Sequence, residues 1–166
     1  MALSQTTDLQ SDCDLLRSLH RPGTPLLLPN AWDVATARAV VAAGVAVYVQ
    51  PTVTFVYPPT GSTSEDRPVH EVLPILRSAL VAERETERFA RAGGRGVVLR
   101  FGLLDGPGTW FDEPMGDFGA TLHVSDAGRA LLSALSLPSG IYNVCRDGER
   151  VSTERFTRAA GWCPQA

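Results

Sequence analysis

The chain has 166 residues, 44% of them hydrophobic, and a net charge of −3 with Arg and Glu interspersed, enough for the core of one domain and without the basic block that nucleic acid or an anionic membrane would select. All fifteen of its basic residues are Arg, so chemistry that depends on a lysine ammonium as tunable acid, base or Schiff-base amine is excluded. The longest apolar run, Val40–Val49, is about half of what a bilayer-spanning helix requires and is interrupted by Gly44, so no membrane partner is expected.

Residues 1–15 read as a polar, disordered tail without the basic n-region and apolar h-region of a signal peptide, which makes the cytoplasm the expected compartment. Pro25-Leu-Leu-Leu-Pro29 is a short buried strand of the parallel-sheet kind. Asn30 is placed to cap a helix over 31–43, Asp33 sits in its first turn, and Gly44 supplies a left-handed stop. Val45–Val56 reads as a strand broken or bent near Pro51, and Pro58–Pro68 as an exposed loop. A helix follows from Pro74 to Ala92, with Ile75, Leu76, Ala79, Leu80, Ala82, Thr86 and Phe89 gathered toward one side and Gly93-Gly94 at its end. Gly96–Phe101 is a buried strand, Gly102–Gly119 an irregular Gly/Pro-rich stretch carrying Trp110 and Phe111, and Ser125 the cap of a helix through Leu135. Ile141–Val144 is a short strand, and Ser152 caps a last helix that ends near Gly161. Strands alternating with helices predict an α/β fold around a mainly parallel sheet.

Cys13, Cys145 and Cys163 are far apart and lack ligand spacing, so they read as ordinary thiols and no metal site is expected. No G-x-S-x-G elbow is present, which leaves a hydrolase without support.

Leu16–Gly44, with Leu28-Pro-Asn-Ala-Trp-Asp33 at its centre, resembles the opening of the isocitrate lyase and phosphoenolpyruvate mutase superfamily. The resemblance covers a lyase/mutase-like unit over 16–46, the first strand and helix of a barrel that needs about 250 residues. None of that family's catalytic residues carries over, since Tyr48-Val-Gln-Pro51 stands where its substrate-contacting Ser-Gly turn would follow.

Over residues 47–166 a different pattern takes over. Tyr48–Tyr57, the helix around Glu83, Val97-Val-Leu-Arg-Phe-Gly-Leu-Leu-Asp-Gly-Pro107, Leu122-His-Val-Ser-Asp126 and Gly140-Ile-Tyr-Asn-Val144 follow one another as in the NAD-dependent epimerase/dehydratase group of extended short-chain dehydrogenases. That resemblance implies an incomplete Rossmann-like three-layer domain, formed as one compact unit with 16–46. It also implies NAD or NADP as cofactor and a Ser/Thr–Tyr–Lys relay as the acid–base machinery. Alignment through Ser78 and Glu83 puts Ile75 where the Tyr belongs and Ala79 where the Lys belongs; Thr52 and Thr54 lie nearest the Ser/Thr position. No glycine-rich dinucleotide loop follows a strand, and Gly93-Gly-Arg-Gly96 precedes one instead, so no cofactor is expected to bind tightly.

The expectation is a degenerate relative of these enzymes without oxidoreductase turnover that binds a nucleotide or small ligand weakly. Its alternatives are a lyase/mutase-like remnant acting on a 2-oxo or carboxylate substrate, and a truncated fusion product with no selected activity. Arg100, His123, Asp126 and Asn143 are the candidate substrate-binding residues. Each has a structural reading beside that one: Arg100 pairing with a carboxylate beside the sheet, His123 and Asp126 anchoring a helix, and Asn143 satisfying backbone groups at a strand end. Loss of the first Rossmann half exposes a sheet edge that invites a second copy of the chain.

Overall fold

A computed structural model describes Ala42 and residues 44–58, 61–69, 74–115, 120–146 and 150–165, all within the unit Asp33–Ala166. The Pro25–Pro29 strand, the Asn30 cap, Asp33, Cys13, the 1–15 tail and nearly all of the 16–46 lyase-like unit lie outside the described residues. Gly44 has the left-handed φ expected of it, 82°.

β1 (Val47–Val53) leads into a 3-10 turn over Thr54–Val56. A second 3-10 turn, Pro74–Leu76, opens α1 (Arg77–Arg91), which is followed by β2 (Arg95–Phe101), β3 (Leu103–Asp105), β4 (Thr121–His123), α2 (Val124–Ala134), β5 (Gly140–Val144) and α3 (Glu154–Ala160). The strands form a three-stranded sheet in the order β1-β2-β5 and a separate pair, β3-β4, with every pairing parallel. This is the expected α/β architecture.

Alternation along β2 builds the layers. Val97, Leu99 and Phe101 point to one face, where they pack with Ala127, Ala130 and Ala134 of α2 and with Phe156 and Trp162. Residues of the opposite parity meet α1: Gly96 lies under Thr86, where an added Cβ would come within 2.4 Å of the Thr86 carbonyl oxygen, and Arg100 reaches Glu83. A second cluster, Val56, Tyr57, Leu80, Cys145 and Val151, closes the end of the sheet beyond β1.

α1 forms because it is rich in Ala, Leu, Glu and Arg and sends Leu80, Glu83, Thr86 and Phe89 inward at three-residue steps. Arg88 pairs with Glu85 and Arg91 with Glu87 on its outside, and both arginines favour the negative end of the helix dipole. Gly93, at φ 96°, ends it.

Four expectations are corrected. β1 is not broken at Pro51: the register runs Gln50↔Val98, Pro51↔Leu99, Thr52↔Arg100 without a slip, because Ala46 O accepts from Arg95 N at 3.1 Å, which turns the even-numbered residues of β1 toward β2 and leaves the missing N–H of Pro51 on the side away from it. The stretch from Gly102 onward is not irregular throughout, since Leu103–Asp105 pairs with Thr121–His123; three-residue strands leave no period to read. His123 rather than Ser125 caps α2, its Nδ1 accepting from Ser125 N at 3.3 Å. α3 starts one residue later than a Ser152 cap implies, with Thr153 at the cap position, although Ser152 Oγ still accepts from Glu154 N at 3.3 Å.

Candidate functional site

The register of the sheet puts three of the predicted site residues in one row. Thr52 of β1 lies opposite Arg100 of β2, and Arg100 opposite Asn143 of β5, all on the face that α1 covers. Glu83 descends from α1 onto this row. Its Oε1 accepts from Thr52 Oγ1 and from Arg100 Nε, both at 2.9 Å, and its Oε2 accepts from Arg100 Nη2 at 2.6 Å. The guanidinium continues to Tyr57, donating from Nη1 to the phenol oxygen at 2.7 Å with its Cζ 4.9 Å from the ring centroid. Tyr57 in turn donates to Asn143 Oδ1 at 2.7 Å, and Asn143 Nδ2 donates to the Ser152 carbonyl at 3.1 Å.

Every side chain in this chain of contacts is buried. Burial, the dominant influence, pushes the Tyr57 phenol above its ordinary pKa even though Arg100 and the hydrogen bond with Asn143 pull it down. Tyr57 therefore holds its proton at neutral pH and donates. Sequence reasoning did not select Tyr57, Glu83 or Glu65; the signal for Glu83 was a lone acid on the apolar side of α1, three residues beyond Leu80.

The other candidates stand elsewhere. Thr54 is buried in the 3-10 turn after β1, and its carbonyl accepts from Tyr57 N at 3.1 Å. His123 lies against Gly106, where a Cβ would come within 2.5 Å of Nε2, and its Nδ1 is 2.7 Å from Ser125 Oγ. Asp126 is fully buried, pairs with Arg129 and accepts from Gln165 N at 3.1 Å, which ties the 161–165 segment back onto α2. The structure thus brings Thr52, Arg100 and Asn143 together and leaves His123 and Asp126 on the opposite side of β2, with α2.

Ala79, at the lysine position of the resembled relay, packs against the cluster of Val56, Tyr57 and Leu80. No strand-to-helix turn among the described residues offers a glycine cradle for a pyrophosphate: β1 runs into Thr54–Tyr57, and β4 passes directly into α2 at His123. The described residues thus include no such cradle. They also hold no cluster of His, Cys, Asp or Glu suited to a metal ion, and no helix long and apolar enough to cross a membrane.

A groove of about 370 Å³ runs between α1 and β5, with Thr86 and Ala90 as its wall, Gly96 and Ile141 on its floor, and Glu65 and Arg155 at one end. Its lining combines Val98, Ala90 and Ile141 with charged groups of both signs, Glu87 and Arg91 from α1 and Asp66 beside Glu65 and Arg155.

No known family profile matches the chain, and no curated protein does. Solved structures do match by fold. One is MoeE5 in complex with UDP-glucuronic acid and NAD, 21% identical with a TM-score of 0.67, over 79% of this chain and 64% of that one. Another is UDP-glucuronic acid 4-epimerase from Bacillus cereus in complex with NAD, 12% identical with a TM-score of 0.66, over 79% and 60%. A third is DesIV, a dTDP-glucose 4,6-dehydratase from Streptomyces venezuelae with NAD bound, 16% identical with a TM-score of 0.68, over 79% and 59%.

The fold is Rossmann-like. The chain spans less than two thirds of the length of these neighbours. The lyase/mutase resemblance rests on residues outside the described part and on sequence alone.

Proposed function

We propose that this chain is a degenerate relative of the NAD-dependent epimerase/dehydratases, without oxidoreductase turnover, that binds a nucleotide or other small molecule weakly. The observation that carries this reading is the fate of the relay. The hydroxyl of Thr52 is committed to Glu83 at 2.9 Å, and Ala79 stands in an apolar cluster where a lysine would be needed. With Ile75 at the tyrosine position as well, the resembled relay lacks both of the groups that pass a proton to or from its substrate. Arg100 and Asn143 serve the scaffold in this reading, and the groove beside Ile141 is the place for a small ligand.

Likeness to NAD-bound neighbours supports a nucleotide as the ligand class, and the absence of a glycine cradle supports weak binding. The test is calorimetric titration with NAD(H), NADP(H) and a sugar nucleotide, together with an assay for NADH formation. Weak binding of one of these without turnover is the expected outcome. Robust turnover by homogeneous protein overturns the reading, magnesium-dependent binding of oxalate or pyruvate favours the lyase/mutase alternative, and no heat with any of them favours a chain without selected activity.

A further inference from the structure

β5 borders the three-stranded sheet, and its backbone groups divide between two sides. Val144 O accepts from Gly102 N at 3.0 Å, so the even-numbered residues of β5 bond toward β2. Ile141 and Asn143 therefore turn their N–H and C=O groups outward. Among the described residues no strand pairs with β5 on that side.

Side chains take the place of one. Asn143 N donates to Glu65 Oε1 at 2.8 Å, and Arg155 Nη1 reaches the Ile141 carbonyl at 3.4 Å. The two side chains are linked, with Arg155 Nε 3.8 Å from Glu65 Oε2 and Arg155 Nη2 donating to Asp66 Oδ2 at 2.6 Å. The segment that carries Glu65 is itself fastened at Thr63, whose N–H donates to Arg150 O at 2.8 Å and whose carbonyl accepts from Ser152 N at 2.9 Å. One acidic oxygen and one guanidinium thus stand where the acceptor and donor of an adjoining strand would stand. Placing a carboxylate with 2% of its side chain exposed is costly in desolvation, and a strand edge is what that carboxylate covers.

We propose that the outer edge of β5 is a latent strand-pairing surface held closed by Glu65 and Arg155, and that the partner it fits is the same edge of a second copy. Gly140-Ile-Tyr-Asn-Val144 carries no charge that would repel its own image, and its residues favour extended backbone. Antiparallel pairing about a two-fold axis offers each outward N–H a carbonyl from the other copy. The edge is self-complementary and short, so one buried carboxylate and one partly exposed guanidinium are enough to cover it.

Sedimentation over a range of concentrations tests this on the full chain. The unaltered protein is expected to show no pairing through β5, E65Q, which keeps an acceptor for Asn143, to behave alike, and E65A/R155A to gain a concentration-dependent dimer. In that dimer the Ile141 and Asn143 amides are protected from hydrogen exchange. A folded E65A/R155A that gains no dimer overturns the proposal, as does an unaltered protein already paired through Asn143. Arg155→Met provides a second readout if the double variant fails to melt cooperatively. Its Asn143 amide is expected to exchange about tenfold faster while that of Val144, on the β2 side, is unchanged; equal Asn143 rates overturn the proposal.

Discussion

Arg100 and Glu83 form a two-pronged ion pair between β2 and α1, Nε to Oε1 at 2.9 Å and Nη2 to Oε2 at 2.6 Å, with about 5% of either side chain exposed. Geometry of this kind satisfies both partners at once, so its worth is seen when only one is removed. Arg100→Leu is expected to lower unfolding free energy by about 3–5 kcal/mol, because it strands the Glu83 carboxylate beside Thr52. The double variant E83L/R100L should be less destabilised than the sum of its single changes. Urea denaturation of the four proteins measures the coupling, and strict additivity would show that the pair is not a unit.

Thr52 is tied to the same carboxylate. Thr52→Val removes one buried hydrogen bond and is expected to cost about 0.5–1.5 kcal/mol, with Thr52→Ser close to neutral. Neither change alters ligand binding by titration calorimetry if the hydroxyl serves the scaffold alone.

Alkaline pH acts through Tyr57. Burial, above all other influences, raises its folded pKa above the unfolded value near 10. A phenol that keeps its proton longer when folded contributes stability that is intact below about pH 10 and is lost as pH rises through the higher folded value. Tyr48 and Tyr142 are raised in the same sense, again mainly by burial. Melting temperature should therefore fall above about pH 10, and Tyr57→Phe should make that fall shallower while lowering stability at neutral pH.

Two glycines with positive φ separate strain from crowding. At Gly93, φ 96°, an added Cβ meets nothing within 4 Å, whereas at Gly106, φ 101°, it would strike His123 Nε2 at 2.5 Å. Gly93→Ala is expected to cost about 1 kcal/mol and Gly106→Ala clearly more, as read from thermal melts. Equal costs would mean that the His123 ring moves aside freely.

Trp110 is 96% exposed on a loop closed by Gly106 N donating to Phe111 O at 2.8 Å and by Thr109 Oγ1 at 2.9 Å from Gly106 O. Trp110→Ser should change stability by less than about 0.5 kcal/mol. Of the two described tryptophans it should also remove the one open to iodide quenching, since Trp162 is buried.

The helices around Glu83 and Asp126 and the strand Gly96–Phe101 were legible in the sequence, because apolar residues at helical spacing and a solid apolar run are local signals. Arg100 was expected to meet a carboxylate, yet which one could not be named. Its partner lies seventeen residues away on a helix whose other acids face solvent or pair on the surface. The β3–β4 pair escaped notice for the same reason as Glu65: each depends on a neighbour distant in the chain.

The sequence by itself determined the α/β class and the order of most elements, since these depend on residue type and local pattern. Only the tertiary structure decided that Thr52, Arg100 and Asn143 form one row beneath Glu83, and that Glu65 reaches an outward amide of β5. Sheet register and helix packing bring together residues up to 91 positions apart, and no local preference encodes such an encounter.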